Sequence, residues 1–297
     1  MLTVGDENDP VYKRAASAFT QALADLGWTV GRNVRIDPRW GRGDNNRMKA
    51  LAQELVGLQP DIILTGTTGP TVAVQRETRT IPIVFANVAD PVASGIVPRL
   101  NQPGGNVTGF ASFEPSLEGK WLELLSEIAP GLRRVAIMIN PDIVAATAAF
   151  VPSLETAARS LKVVLITAPV HSDLEIETAI SAPGREPGGG LVVMLDIFTT
   201  VHRAQIISAA ARNNVPAVYP LSEFVRDGGL VGYGTDQFDT WRRAATYVDR
   251  ILRGEKPGDL PVQFPTKFEM VVNRKTATAL GLAVPPSIML RATEVIE

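Results

Sequence analysis

The chain has 297 residues, 45% of them hydrophobic and 20% charged. That is enough apolar material for two cores of about 150 residues each, and it excludes a disordered chain. Lys plus Arg (29) nearly balances Asp plus Glu (31), so no overall basic field exists for a nucleic-acid backbone, and with no cysteine there are no disulfides, thiolate metal sites or thiol catalysis.

The elements alternate between short apolar strands and amphipathic helices. Leu2 to Val4 is a strand stub. Asp9 and Pro10 start a helix whose apolar positions, Ala15, Phe19, Leu23 and Leu26, recur at helical spacing until Gly27 stops it. A second strand is expected over Asn33–Trp40, and Asp44 caps the next helix. Asp61 to Thr65 is a buried strand running into Gly66-Thr67-Thr68-Gly69-Pro70 and a helix to about Thr78. Pro82 to Ala86 is a strand ending in Asn87-Val-Ala-Asp90-Pro91, which turns into a short helix. Gln102-Pro-Gly-Gly-Asn106 breaks the pattern, and Val107 to Phe110 is a short strand.

The alternation then restarts. Pro115 to Ile128 is helical, Arg134 to Ile139 a strand ending at Asn140, and the following helix is disturbed at Pro152. Val163–Thr167 (strand), Asp173–Ile180 (helix) and the loop Pro183–Gly190 follow. Leu191–Leu195 is a strand ending at Asp196, with a helix over about Thr200–Arg212. Pro216–Tyr219 and Leu230–Tyr233 are strands flanking a short helix at Ser222–Asp227. A helix over Phe238–Leu252, a linker, a strand at Phe268–Val272 and helices near Arg274–Leu280 and Ser287–Ile296 close the chain. The fold class is therefore α/β: two doubly wound parallel runs, roughly 1–112 and 113–236, and a tail.

In open parallel sheets ligands bind beyond the carboxyl ends of the strands, where helix N-termini present free N–H groups. Those ends carry Gly66, Thr67, Thr68, Asn87 and Asp90 in the first run, and Asn140, Asp196, Phe198, Tyr219, Tyr233 and Asp236 in the second. Hydroxyls and open backbone donors suit a carboxylate. Asp196 and Asp236 suit an ammonium, and Phe198, Tyr219 and Tyr233 suit a flat or apolar side chain. Together they fit a zwitterion held by two lobes. Each residue alone also reads as an ordinary turn, cap or packing residue.

No P-loop spacing follows Gly66, and no nucleophile motif accompanies His202. His171 reads as a solvated loop residue. No cofactor, metal site or catalytic residue is expected. No apolar run reaches the ~18 residues of a membrane span, and no signal peptide is visible.

Several stretches carry a family resemblance: Thr80-Ile-Pro-Ile-Val-Phe85, Pro103-Gly-Gly-Asn-Val-Thr-Gly-Phe110, Glu114-Pro-Ser-Leu-Glu-Gly-Lys-Trp121, Phe198-Thr-Thr-Val-His-Arg203, Val215-Pro-Ala-Val-Tyr-Pro220 and Gly228-Gly-Leu-Val-Gly-Tyr-Gly-Thr-Asp236. The chain resembles ABC-transporter substrate-binding proteins of the tryptophan/tyrosine-type solute-binding family over nearly its whole length. The resemblance implies a type I periplasmic-binding-protein fold of two lobes joined by a hinge, lobe one being 1–112 plus 237–266 and lobe two 113–236 plus 267–297. It implies a monomer that captures an amino acid, aromatic among the options, or a related carboxylate by hinge closure. The loaded protein would deliver this to the membrane permease of an importer, without chemistry, in the periplasm. It also implies ligand contacts from the first-lobe loops at Gly66–Thr68 and Asp90, and from Asn140, Asp196, Tyr219 and Asp236 on lobe two or at the hinge. Relatives carry a signal peptide and a longer first strand, so the chain reads either as a trimmed mature form or as one whose assigned start lies downstream. The alternatives are a cytoplasmic ligand-sensing effector domain on the same fold, which would carry a DNA-binding helix-turn-helix ahead of its first strand, and an α/β enzyme.

Overall fold

The structure, a computed structural model, describes residues 1–112, 117–141, 144–185 and 187–297. The first run comprises β1 (Leu2–Thr3), α1 (Pro10–Asp25), β2 (Arg39–Trp40), α2 (Asn45–Gly57), β3 (Ile63–Gly66), α3 (Thr68–Glu77), β4 (Ile83–Val88) and β5 (Val107–Ala111). The second comprises α4 (Leu117–Ile128), β6 (Arg134–Ile139), α5 (Val144–Leu161), β7 (Val164–Pro169), α6 (Asp173–Gly184), β8 (Gly189–Val193), α7 (Ile197–Val201), α8 (Arg203–Arg212), β9 (Ala217–Tyr219), α9 (Ser222–Arg226) and β10 (Val231–Thr235). Then come α10 (Gln237–Leu252), a 3-10 turn at Pro257–Asp259, β11 (Phe268–Asn273), α11 (Arg274–Ala279), α12 (Pro286–Arg291) and β12 (Glu294–Ile296). None of the helices among the described residues is long and apolar enough to cross a membrane.

The chain divides into two compact units, Met1–Glu114 with Thr235–Lys267, and Pro115–Gly234 with Phe268–Glu297. It therefore passes from one unit to the other three times. Asp236, expected in the second lobe, falls in the first unit because it caps α10 there: its carboxylate accepts the N–H groups of Phe238 and Asp239.

The first unit is a five-stranded sheet in the order β2-β1-β3-β4-β5, with parallel pairings. On one face Met48, Ala52 and Leu55 of α2 and Val74 of α3 bury Ile63, Ile83 and Phe85. On the other, Phe19 and Leu23 of α1 join Trp241, Ala244, Ala245 and Val248 of α10 over Leu64, Val84 and Phe110. Both faces are covered, which is why these strands read as continuous apolar runs. Each large side chain buried here contributes about 1.5–3 kcal/mol. In β5, Gly109 pairs with Phe85 of β4, and a Cβ at Gly109 would lie 2.2 Å from the Phe85 carbonyl oxygen. Gly109→Ala is therefore expected to force these strands apart and cost about 3 kcal/mol, measured by chemical denaturation.

The second unit is a seven-stranded sheet, β12-β11-β10-β9-β8-β6-β7. Its pairings β6–β7, β6–β8, β8–β9, β9–β10 and β11–β12 are parallel. Trp121, Leu122 and Leu125 of α4 and Leu154 of α5 cover one face. Ile176 and Ile180 of α6, Ile206 and Ala210 of α8, and Phe224 of α9 cover the other. From β6 to β10 the order repeats that of the first sheet, so each unit has one point where the winding reverses: β1/β3 in the first and β6/β8 in the second.

Several elements differ from expectation for identifiable reasons. The second strand shrinks from Asn33–Trp40 to Arg39–Trp40, because Pro38 has no N–H to give and β1 offers only Leu2 and Thr3 as partners. After Asp90 there is one hydrogen-bonded turn rather than a helix; the Asp90 carboxylate accepts from Val92 and Ala93, and Gly95 at φ +67° ends it. The helix expected from Thr200 starts three residues earlier as α7 and breaks at His202, because Asp196 and Thr199 form a reciprocal capping box. The expected loop Pro183–Gly190 is shorter: α6 runs to Gly184 and β8 begins at Gly189. The closing helix stops at Arg291; Thr293 then bonds both backbone groups of Met270 and leads into β12 beside β11. The helix α5 runs through Pro152. The expected helix start at Pro115 lies outside the described residues.

Candidate functional site

In the first unit the ends of β3 and β4 lie side by side, with Gly66 opposite Ala86. Thr67 follows β3 at φ +73° and Asn87 lies near the end of β4 at φ +57°, both in the left-handed region that costs a non-glycine residue energy. Buried hydroxyls hold the first of them: Thr71 donates to the Thr67 carbonyl at 2.7 Å and lies 2.8 Å from the Thr65 hydroxyl. The Asn87 side chain is fixed by the Thr240 hydroxyl, which donates to its Oδ1 at 2.5 Å. Thr67 makes no side-chain capping bond to α3, so the first N–H groups of that helix stay open to an anion. Thr67→Gly is expected to relieve the strain and stabilise the protein by about 0.5–1 kcal/mol after the entropic cost of glycine, read as a rise in melting temperature.

Charge in this unit gathers on the first turns of α10. Asp239 is buried and faces Lys267 at 3.2 Å, Arg242 at 3.5 Å and Arg243 at 3.9 Å. Asp236 is ion-paired to Arg242 as well as capping α10. Its carboxylate is committed twice, so it is a poor counter-ion for a ligand ammonium. Three cations around two carboxylates leave this end of the unit electropositive, which again favours a carboxylate. Gly66 is a packing residue: a Cβ there would lie 2.7 Å from the Trp241 ring. Asp90 is the cap of its own turn.

In the second unit Asn140 follows β6 and Asp196 follows β8, on either side of the reversal point. Asp196 Oδ1 accepts the Thr199 N–H at 3.1 Å, while its Oδ2 is buried and makes no hydrogen bond. Burial raises the Asp196 carboxyl above the ordinary carboxylate range, against the opposing pull of hydrogen bonds from the Thr199 and Phe198 backbone and from Asn140. A carboxylate oxygen held out of water without a donor is costly, and it is a ready acceptor for a ligand N–H.

Phe198 lies two residues beyond, half-buried, its ring stacked on His202 at 4.0 Å between centroids. Tyr219 is not available to a ligand. It is 1% exposed, packs on Phe224 at 5.1 Å, and burial pushes its hydroxyl pKa up. Pro216 to Tyr219 reads as an apolar strand, and its last ring simply belongs to that core. Tyr233 is half-buried against Phe268 at 5.9 Å, and its carbonyl accepts the Trp121 indole N–H at 2.5 Å.

Two residues outside the expected site lie by the end of β1. Thr3 is buried with a hydroxyl that makes no hydrogen bond. The Tyr12 ring covers Gly5, where a Cβ would lie 2.1 Å from it, and burial pushes its hydroxyl up to about 12. A threonine in a two-residue strand and one tyrosine in the first turn of a helix carry no motif that marks them. No cluster of metal-ligating side chains occurs among the described residues.

Residues 7–296 match the family described as ABC transporter substrate binding protein. The chain belongs to that family. Among curated proteins, this substrate-binding protein is 27% identical over 280 residues to a tyrosine-binding protein of Clostridioides difficile (strain R20291), covering 92% of this chain and 78% of that one. It is similar to the ligand-free, open structure of a substrate-binding protein with adhesive properties from Clostridium difficile (26% identity, 99% and 97% of the two chains, TM-score 0.81). It shares its fold with an ABC domain in complex with L-Trp from Streptococcus pneumonia (23% identity, 99% and 98% covered, TM-score 0.86). Two α/β units with mostly parallel sheets match periplasmic binding proteins. These relatives are substrate-binding proteins rather than enzymes.

Proposed function

We propose that this substrate-binding protein captures a free aromatic amino acid for an ABC importer. The observation that carries the reading is the buried, donorless Oδ2 of Asp196 at the end of β8, an acceptor for the ammonium of an amino acid. The open N–H groups at the start of α3 and the excess cations near α10 supply the complementary donors for its carboxylate. Phe198 offers an aromatic face beside Asp196, and Tyr233 a second. The names of the relatives, one tyrosine-binding and one bound to L-Trp, support the same class of ligand.

On this reading the residues that hold the ammonium and those that hold the carboxylate belong to different units, and the ligand binds by shifting the population of a hinge. Moving that population from 1:99 to 99:1 requires about 5.5 kcal/mol of differential affinity, which a few charge-assisted hydrogen bonds and one stacked ring supply. The loaded protein then docks, outside the cytoplasm, on the permease of its transporter.

Titration calorimetry of the purified protein with the twenty amino acids tests this. L-Trp and L-Tyr are expected to give saturable heats, with a smaller radius of gyration by X-ray scattering when bound. Silence with every aromatic amino acid, or binding with no change in scattering, overturns the ligand or the closure respectively.

A further inference from the structure

His202 ends α7 and precedes α8, at φ −90° and ψ 14°, with no side-chain bond to the N-terminus of the second helix. Its side-chain interactions run back to α7 and across to α6. Its Nδ1 lies 2.8 Å from the carbonyl of Phe198; a carbonyl only accepts, so Nδ1 carries the hydrogen. Its imidazole lies flat against the Phe198 ring, 30° from parallel at 4.0 Å. Its Nε2 reaches Asp173 Oδ1 of α6 at 3.5 Å. The imidazole is thus held through Nδ1, and one face of the Phe198 ring rests on it.

The rest of the loop is equally constrained. Thr199 donates its hydroxyl to Met194 O at 2.9 Å, and Thr200 to Asp196 O at 2.6 Å. Phe198 is left with one face backed by His202. Asp196, with its donorless oxygen, sits two residues away. Leu195 and Val201, 44% and 70% exposed, add apolar surface at the two ends of this segment.

We propose that His202 is a positioning residue for specificity: by backing and fixing the Phe198 ring it makes that ring a rigid platform that favours aromatic over aliphatic amino acids. The proposal rests on the functional reading above. A fixed ring stacks on a ligand without losing rotamer freedom on binding. An unsupported one gives up part of the gain from an aromatic pair. The ammonium contact at Asp196 is common to all amino acids and does not pass through His202.

The test compares wild type, His202→Ala and His202→Phe by calorimetry with L-Trp, L-Tyr and L-Leu, the last by displacement of L-Trp where its heat is small. His202→Ala is expected to weaken L-Trp and L-Tyr about five- to tenfold and leave L-Leu within about twofold. His202→Phe retains a stacking partner and is expected to keep the aromatic preference within about twofold of wild type. A purely structural role would lower the melting temperature and weaken all three ligands together. Equal losses for the three ligands, an unchanged preference in His202→Ala, or its loss in His202→Phe overturns the assignment of His202 alone. A wild-type protein that binds neither L-Trp nor L-Tyr overturns the functional reading and this inference with it.

Discussion

Replacing Asp196 with Asn is expected to weaken L-Trp and L-Tyr roughly 30- to 150-fold while leaving the ligand-free protein as stable as before, or more so. The loss follows from removing one charge-assisted contact to the ligand ammonium, worth about 2–3 kcal/mol. The stability follows from what Asp196 does in the empty protein. Asn caps a helix as well as Asp, so the bond to the Thr199 N–H survives. The buried negative charge does not. Because burial raises the Asp196 carboxyl in the folded state, the ionised group is a penalty at neutral pH. That penalty is relieved as the pH falls through the raised value, and the benefit levels off near the ordinary carboxylate range, where the unfolded chain also takes up its proton. Ligand affinity moves the other way, declining as the pH falls through the same raised value, because a neutral carboxyl holds an ammonium poorly. Calorimetry and thermal melts from pH 7 to pH 4 check both trends. A variant that binds as tightly as wild type, or that melts well below it, contradicts the assignment of Asp196.

Trp121→Ala is expected to cost about 3–5 kcal/mol, the range for truncating a large buried aromatic. Trp121 is 4% exposed and lies in the same core as Val192, Val218 and Val231. Its indole N–H also donates to the Tyr233 carbonyl at 2.5 Å, so truncation leaves a strand carbonyl without its donor. Trp121→Phe separates the two contributions. It keeps much of the packing and is expected to lose about 1–2 kcal/mol, chiefly for the hydrogen bond. Trp28, Trp40 and Trp241 lie in the first unit, so circular dichroism rather than intrinsic fluorescence follows the second unit in the variant. A loss below about 1 kcal/mol for Trp121→Ala would mean that this core closes around the cavity.

The fully buried strands were legible because both faces of a doubly wound sheet must be apolar: Ile63–Leu64, Ile83–Phe85 and Leu191–Val193 stand out as short unbroken runs. Helix starts were legible where a side chain caps them, as at Asp9 and Asp44. What escaped depended on tertiary partners. The last strand is apolar only at Val295 and Ile296 and forms because β11 presents an open edge. The second strand is limited by the two residues of β1.

The site was legible as a set of strand ends and not as a set of contacts. Sequence treats Asp196 and Asp236 alike, as acidic residues after a strand. They diverge because Arg242, in the second turn of the following helix, neutralises one, whereas the other keeps an oxygen free of donors. Sequence likewise grouped Tyr219 with Phe198, but only packing distinguishes a ring inside the core from one at its edge. Support of Phe198 by a histidine four residues on is a spacing of one helical turn, visible in principle once Phe198 is placed on a helix.

Interleaving of the two units constrains how the molecule can come into being. Much of the cover of one face of the first sheet is supplied by α10, Gln237–Leu252, more than a hundred residues after the last strand of that sheet. A nascent chain leaving the ribosome therefore emerges with β1 to β5 complete and one hydrophobic face covered only by α1. Neither half matures until nearly the whole polypeptide has been synthesised, since the second also waits for β11 and β12. Such late maturation prolongs the interval in which the polypeptide is still loose enough to be threaded or chaperoned. It also means that no cut at a single point separates the two units.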